Sequence, residues 1–227
     1  LAIPKNKKND SIRKKIKNKV PIFSGNENDV LDRYYKAAKK FKAEIIVRIC
    51  GDCPLIDPNI IDRIISCYND NDYDYVSNTI EPSFPDGLDA EVFNFDVLKK
   101  TWKEAKTYKE RENVTQYILQ KTKFRKKNIA YKKNLSFLRL TIDEKIDFEQ
   151  IKQVYLKFDK NKFFGIDDIF RLYMQNKNLF KINSNIKRNE GSTLPTGQKL
   201  WKRAKNIIPG GNMLLSKRPE MFLPDKW

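Results

Sequence analysis

Residues 44–57, EIIVRICGDCPLID, constrain this chain more than any other stretch. The run from Ile45 to Cys50 is short, apolar and rich in β-branched residues, which suits a buried strand better than a helix. Gly51 ends it and Asp52 follows at once. Pro54 and Pro58 punctuate the next turn, and Asp57 is placed to cap a helix carrying Ile60, Ile61, Ile64 and Ile65 at helical spacing. A carboxylate thus stands at the carboxyl end of a buried strand, just ahead of a crossover helix. In open α/β sheets that edge is where ligands bind.

The rest of the chain repeats this alternation. Val20 to Phe23 reads as a strand, and Asp29 caps a helix through Phe41. Residues 74–77 (DYVS) are a strand, and 80–89 (IEPSFPDGLD) a loop. The alternating run 90–95 reads as a strand exposed on one face. Helices follow over 97–105 and 110–119. Strands are expected at 129–132 and at 137–142 (FLRLTI), then helices at 146–158 and 166–174, the former with Phe148, Ile151, Val154 and Tyr155 on its apolar face. Strands alternating with helices argue an α/β domain with a mostly parallel sheet. Residues 1–180 are expected to hold this domain. Residues 181–197 are polar, contain Gly191, Pro195 and Gly197, and read as a linker.

Composition narrows the chemistry. His is absent, which removes Ser-His-Asp and Cys-His catalysis and leaves carboxylates, Lys, Arg, Tyr, backbone amides or a metal. Three cysteines do not make a disulfide framework and fit a reducing cytoplasm. The C-x-x-C spacing of Cys50 and Cys53 lacks partners for a zinc site, and a redox pair or two unconnected thiols remain. No apolar run approaches a membrane span. With 46 Lys plus Arg against 29 Asp plus Glu the formal charge is +17. The excess is spread along the chain without interleaved aromatics, so solvated lysine is favoured over nucleic-acid binding.

Two expected strands end in an aspartate, Asp52 and Asp143. In a parallel sheet those ends share an edge, so the two carboxylates can face one cleft. Paired carboxylates without His suit Mg²⁺ or Mn²⁺, a hard cation completed by substrate phosphates and water. The alternative is that each aspartate caps the next helix. The loop carrying Asp86, Gly87, Asp89 and Glu91 adds acceptor side chains around a glycine turn, suited to sugar hydroxyls or to a solvated acidic turn.

The blocks DVLDRYYKAAKKF (29–41), VRICGDCPLIDP (47–58), YDYVSNT (73–79), FPDGLDAEVF (84–93), RENVTQYI (111–118) and LRLTIDEKIDFEQI (138–151) resemble the cytidylyltransferase family typified by spore-coat polysaccharide biosynthesis proteins. That family is related to acylneuraminate and keto-deoxy-octulosonate cytidylyltransferases. The resemblance implies a Rossmann-like nucleotide-diphospho-sugar transferase fold (type A glycosyltransferase architecture). It implies CTP as donor, a sugar or sugar acid as acceptor, and release of pyrophosphate. It makes Asp52 and Asp143 the metal-binding and catalytic aspartates. Asp86, Gly87, Asp89, Glu91, Arg111 and Glu112 become substrate-binding residues, and a homodimer is compatible with it. Two departures stand out. The family's first βα unit, with its triphosphate loop, is not found from Leu1 onward, so the chain as given is expected to turn over poorly. At Asn113 relatives commonly carry His. The alternatives are a glycosyltransferase of the same fold, and a catalytically silent scaffold domain.

Residues 197–224, GQKLWKRAKNIIPGGNMLLSKRPEMFLP, resemble the beginning of class III aminotransferases of the glutamate-1-semialdehyde aminomutase type. That resemblance implies that 198–227 is the opening segment of a second domain. Its pyridoxal phosphate would belong to the complete parent chain.

Overall fold

The computed structural model describes residues 1–159, 162–186, 188 and 204. The chain divides into two units, Leu1–Asn183 and Ser184–Trp227. Most of the second unit, including nearly all of the expected aminotransferase-like segment, lies outside the described residues.

The first unit opens with a small β-α-β turn of chain. Strand β1 (Ala2–Pro4) leads into helix α1 (Asp10–Ile16) and returns in strand β2 (Phe23–Gly25), which pairs parallel to β1 with Ile3 opposite Ser24. A parallel pair needs such a crossover, whereas a hairpin turn cannot make one. Helix α2 (Val30–Lys40) starts where Asp29 accepts from the Asp32 amide at 2.9 Å. Strand β3 (Ile45–Ile49) follows, and then helix α3 (Pro58–Asn69). The Asp57 carboxylate accepts from the Asn59 amide at 2.8 Å, and Pro58 occupies the first turn, where its missing N–H costs nothing.

Strand β4 (Tyr75–Ser77) and strand β5 (Ala90–Asn94) come next, then helices α4 (Phe95–Glu104), α5 (Tyr108–Glu112) and α6 (Gln116–Gln120), and strand β6 (Lys126–Asn128). Helices α7 (Lys145–Tyr155) and α8 (Ile166–Gln175) complete the unit. The main sheet has the order β3-β5-β4-β6. It is mixed, not mostly parallel: β5 is antiparallel to both neighbours, and only β4 and β6 pair parallel. The cause is the connection from β4 to β5, an irregular loop with no helix, which brings the chain back in the opposite direction.

Side chains alternate across this sheet. Val76 and Val92 face a core shared with Ile60 and Ile64 of α3, Ile151 and Val154 of α7, and Ile169 of α8. Tyr75 and Phe93 face a second core with Leu31 of α2, Leu98 of α4 and Ile118 of α6. The result is a sheet with helices on both faces, one of the few ways to bury both sides of a sheet.

Other elements differ from the sequence reading. The Ala90–Asn94 strand is buried on both faces through Phe93, because Glu91 is taken up by polar partners inside the fold. The 137–142 run forms no ladder. It lies along the loop before β5 with one parallel bridge, Arg139 to Asp86, since that loop is itself too irregular to pair further. The strand expected at 129–132 forms three residues earlier, as β6. The helix expected over 110–119 is two short helices, broken at Val114. Of the expected apolar face of α7, Ile151 and Val154 are buried, whereas Phe148 and Tyr155 stay exposed. Among the described residues no helix is long and apolar enough to cross a membrane.

Candidate active site

The chain leaves β3 at Ile49 and passes through Cys50 and Gly51 to Asp52. Two donors from the 137–142 segment hold the Asp52 carbonyl: the Ile142 amide at 2.9 Å and the Thr141 hydroxyl at 3.2 Å. This clamp brings the backbone of Asp52 beside the residue that precedes Asp143. The Asp52 side chain is half-buried, and its Oδ1 accepts from the Cys53 thiol at 3.5 Å. The interaction between the two thiols lowers Cys50 from its ordinary value and, with burial, pushes Cys53 up.

Asp143 is half-exposed and tied from below. Its Oδ2 accepts from Arg139 Nη2 at 2.7 Å. The same guanidinium, 7 % exposed, donates from Nη1 to Asp86 at 3.1 Å and from Nε and Nη2 to Asp147 at 2.9 and 2.8 Å. Burial alone would raise the Asp147 carboxyl. Hydrogen bonds from Arg139, Asn183 and the backbone amides of Glu144 and Asp143 outweigh it and hold the group at about 2. Burial opposes the Arg139 charge, but the bonds to Asp147 and Asp143 raise its pKa further still. One cation faces three carboxylates, which leaves two negative charges in excess at this edge of the fold.

The acidic loop is drawn into the same network. Asp86 is buried, and its backbone is zipped to the 137–142 segment by Asp86 N–H to Leu138 O at 2.9 Å and Leu140 N–H to Asp86 O at 2.7 Å. Gly87 has φ +97°, and a Cβ there would lie 2.5 Å from the Leu140 and Thr141 backbone, so no other residue fits. Asp89 is half-buried.

Glu91 is buried opposite Arg48 of β3 and accepts from its guanidinium, from the Tyr75 hydroxyl at 2.6 Å and from the Thr115 hydroxyl at 2.8 Å. Burial and the Glu91 charge raise the Tyr75 phenol well above its usual value. Thr115 reaches Glu91 from a strained turn: Val114, fully buried, has φ +39°, a left-handed conformation that a β-branched side chain resists.

The structure therefore joins Asp52, Asp86, Gly87 and Asp143 in one bonded region, with Glu91 on the neighbouring strand. Arg111 belongs elsewhere. It grips Asp29 with Nε at 3.0 Å and Nη2 at 2.6 Å, and donates to the Trp102 carbonyl at 2.7 Å, tying α5 to α2 and α4. Glu112 is half-buried on the same short helix.

Sequence reasoning missed Arg139 and Asp147. Asp147 carried a signal: it stands three residues after Glu144 at the start of α7, where its carboxylate closes a capping box. Arg139 carried none that set it apart: Asp143 and Asp147 follow it closely in sequence, but its third partner, Asp86, is distant along the chain.

The donors at this edge are hard oxygens, as Mg²⁺ or Mn²⁺ prefers. Among the described residues no group of three or more His, Cys, Asp and Glu is arranged to hold a metal ion. Protein ligands alone would thus not complete a coordination shell, which is the usual case for Mg²⁺ shared with phosphates and water. Beside the clamp opens a cavity of about 630 Å³, walled by Pro54, Ile142, Phe148, Tyr155 and Phe163. That is the size range of small-molecule sites.

Comparison with known proteins gives a consistent answer. Residues 5–186 match a family model described as Cytidylyltransferase. The chain is 37 % identical over 174 residues to an uncharacterized protein of Methanocaldococcus jannaschii, covering 74 % of this chain and 69 % of that one. It is 31 % identical over 169 residues to the spore coat polysaccharide biosynthesis protein SpsF of Bacillus subtilis, covering 71 % and 68 %. A solved cytidylyltransferase from Leptospira borgpetersenii serovar Hardjo-bovis superposes with a TM-score of 0.75 at 30 % identity, over 78 % of this chain and 76 % of that one.

Proposed function

The chain belongs to the cytidylyltransferase family, and from that premise we propose that it moves CMP from CTP to a sugar or sugar acid, with release of pyrophosphate, in surface polysaccharide synthesis. A hydroxyl or carboxylate of the acceptor attacks the α-phosphorus and pyrophosphate leaves. The observation that carries this reading is the clamp at the Asp52 carbonyl, by Ile142 at 2.9 Å and Thr141 at 3.2 Å, which sets two aspartate-bearing segments side by side.

In this reading Asp52 and Asp143 hold Mg²⁺ or Mn²⁺. When bound, the ion supplies charge neutralisation for the phosphates. Arg139 holds Asp143 and Asp86 in place from beneath. It is a positioning residue, since its own donors are taken by carboxylates. Asp89 is assigned to the acceptor's hydroxyls. Asp86 acts through Arg139, and Glu91 through Arg48, Tyr75 and Thr115. Gly87 lets the loop approach the 137–142 backbone. Arg111 fixes α5, and Glu112 on that helix stays a candidate substrate contact. The cavity beside Ile142 offers an apolar, aromatic wall for the sugar or the base.

Residues 198–227 are read as the opening of a pyridoxal-phosphate aminotransferase domain fused to the transferase. That reading rests on their sequence alone.

The test is pyrophosphate release from CTP, UTP and ATP with Mg²⁺ and a panel of sugars and sugar acids, alongside direct nucleotide binding. Binding that prefers CTP, with pyrophosphate released only slowly but in step with an acceptor, is the expected result. Turnover of preformed nucleotide sugars without use of CTP would make the protein a glycosyltransferase instead. CTP binding with no turnover on any acceptor would make it a silent scaffold.

A further inference from the structure

We propose that Cys50 and Cys53 form a reversible redox site, a dithiol that a peroxide or a small-molecule disulfide converts to an intramolecular disulfide, and that the bond alters the turn presenting Asp52. This goes beyond the transfer reaction. Nothing in that reaction uses either thiol.

Three observations carry it. First, the Cys53 amide donates to the Cys50 carbonyl at 3.4 Å, which closes a four-residue turn with the two cysteines at its ends. The ends of such a turn lie within about 7 Å at Cα, and a disulfide spans about 4.4–6.8 Å, so the bond can form with little backbone movement. Second, the Cys53 sulfur lies 3.5 Å from Oδ1 of Asp52, a residue inside that turn. Third, their exposures differ. Cys50 is half-buried and open to a reagent, whereas Cys53 is 7 % exposed and sheltered behind it. An accessible attacking thiol backed by a resolving thiol is the arrangement of redox-active pairs. Cys67, on α3, packs against the apolar core and has no place in this turn.

With oxidised glutathione, the Cys50 sulfur attacks one sulfur and a glutathione thiol leaves, then the Cys53 sulfur attacks Cys50 and the second glutathione thiol leaves. With a peroxide, the Cys50 sulfur attacks a peroxide oxygen, the O–O bond breaks, and water leaves a sulfenic acid. The Cys53 sulfur attacks that sulfenic sulfur, the S–O bond breaks, and a second water leaves. The two thiols give up two electrons and two protons, and the peroxide is reduced. A dithiol reductant reverses the step by exchange.

The consequence falls on Asp52 because it lies inside the turn. In the dithiol form Cys53 donates to Asp52 Oδ1 at 3.5 Å. A disulfide sulfur has no hydrogen to donate, so oxidation removes that bond and locks the turn while the Asp52 carbonyl stays clamped by Ile142 and Thr141. Loss of a supporting bond beside a metal-binding carboxylate costs roughly tenfold or more in affinity.

The test uses the whole chain treated with hydrogen peroxide or oxidised glutathione, then alkylated and digested with trypsin. Cleavage after Arg48 and Arg63 puts Cys50 and Cys53 in one peptide, 49–63, and Cys67 in the next. The expected result is peptide 49–63 lighter by two hydrogens and unalkylated, with Cys67 alkylated, and full reversal by dithiothreitol. Oxidised protein should bind CTP with Mg²⁺ about tenfold more weakly than reduced protein. Cys50→Ser should show no such response to oxidant. Alkylation of both thiols in 49–63 after oxidant would overturn the proposal. A disulfide that leaves CTP affinity unchanged would overturn its reach to Asp52. Failure of the reduced protein to bind CTP would count against the transferase reading, while the peptide map still decides the redox site.

Discussion

Arg139 sits where its loss leaves three aspartates to repel one another. Asp86, Asp143 and Asp147 all accept from its guanidinium, and Asp147 is fully buried. Removing one partner of a buried ionic cluster costs about 3–5 kcal/mol. Arg139→Met should therefore lower unfolding free energy by about that much in urea, and an unchanged midpoint would show that the cluster does not hold the fold. The pH dependence follows from Asp147. Its carboxyl is held at about 2 in the folded chain against an ordinary 3.8. The folded value is the lower one, so its stabilisation is complete above about pH 4 and is lost as pH falls toward 2. Acid titration of the thermal midpoint should show that loss in the wild type and less of it in Asp147→Asn. At Gly87, Ala adds a Cβ 2.5 Å from backbone at a positive φ. Gly87→Ala should destabilise by about 1–3 kcal/mol or more, read by the same denaturation.

Among the elements, β5 is the longer of the two strands paired on both sides, and it is buried through Phe93. Its amides should exchange with solvent most slowly, and those of the short β1–β2 pair faster, in a hydrogen-exchange experiment. Helices α2 and α3 were legible in the sequence. Asp29 and Asp57 cap α2 and α3 as their positions require, and the Ile-rich face of α3 does enter the core through Ile60 and Ile64. What stayed hidden depended on partners far along the chain. Glu91 looked like the solvent face of a strand, but Arg48, Tyr75 and Thr115 neutralise it inside. FLRLTI has the composition of a strand, yet its neighbour is a proline- and glycine-bearing loop that offers a single bridge. The break between α5 and α6 falls at Val114, with neither Gly nor Pro to announce it. Asp52 and Asp143 were singled out from the ends of apolar runs. The guanidinium beneath Asp143 could not be, because Asp86, Asp143 and Asp147 meet at Arg139 only once the chain is folded.

For the whole molecule, a net charge of +17 favours approach of a polyanionic nucleotide, while the excess of carboxylates around Arg139 is a local exception. CTP association should slow as NaCl rises, because salt screens the long-range field while leaving short contacts in place. Under the proposed function, Asp52 and Asp143 serve one cation site at the carboxyl end of β3. Its most direct measurement is calorimetric CTP binding with and without Mg²⁺ in the wild type, Asp52→Asn and Asp143→Asn, with urea denaturation of each. Both carboxylates are partly exposed, so each variant should keep its stability within about 1 kcal/mol. Each should lose roughly tenfold or more of the Mg²⁺-dependent affinity. Variants that fold normally and bind CTP with wild-type Mg²⁺ dependence would rule that cation site out.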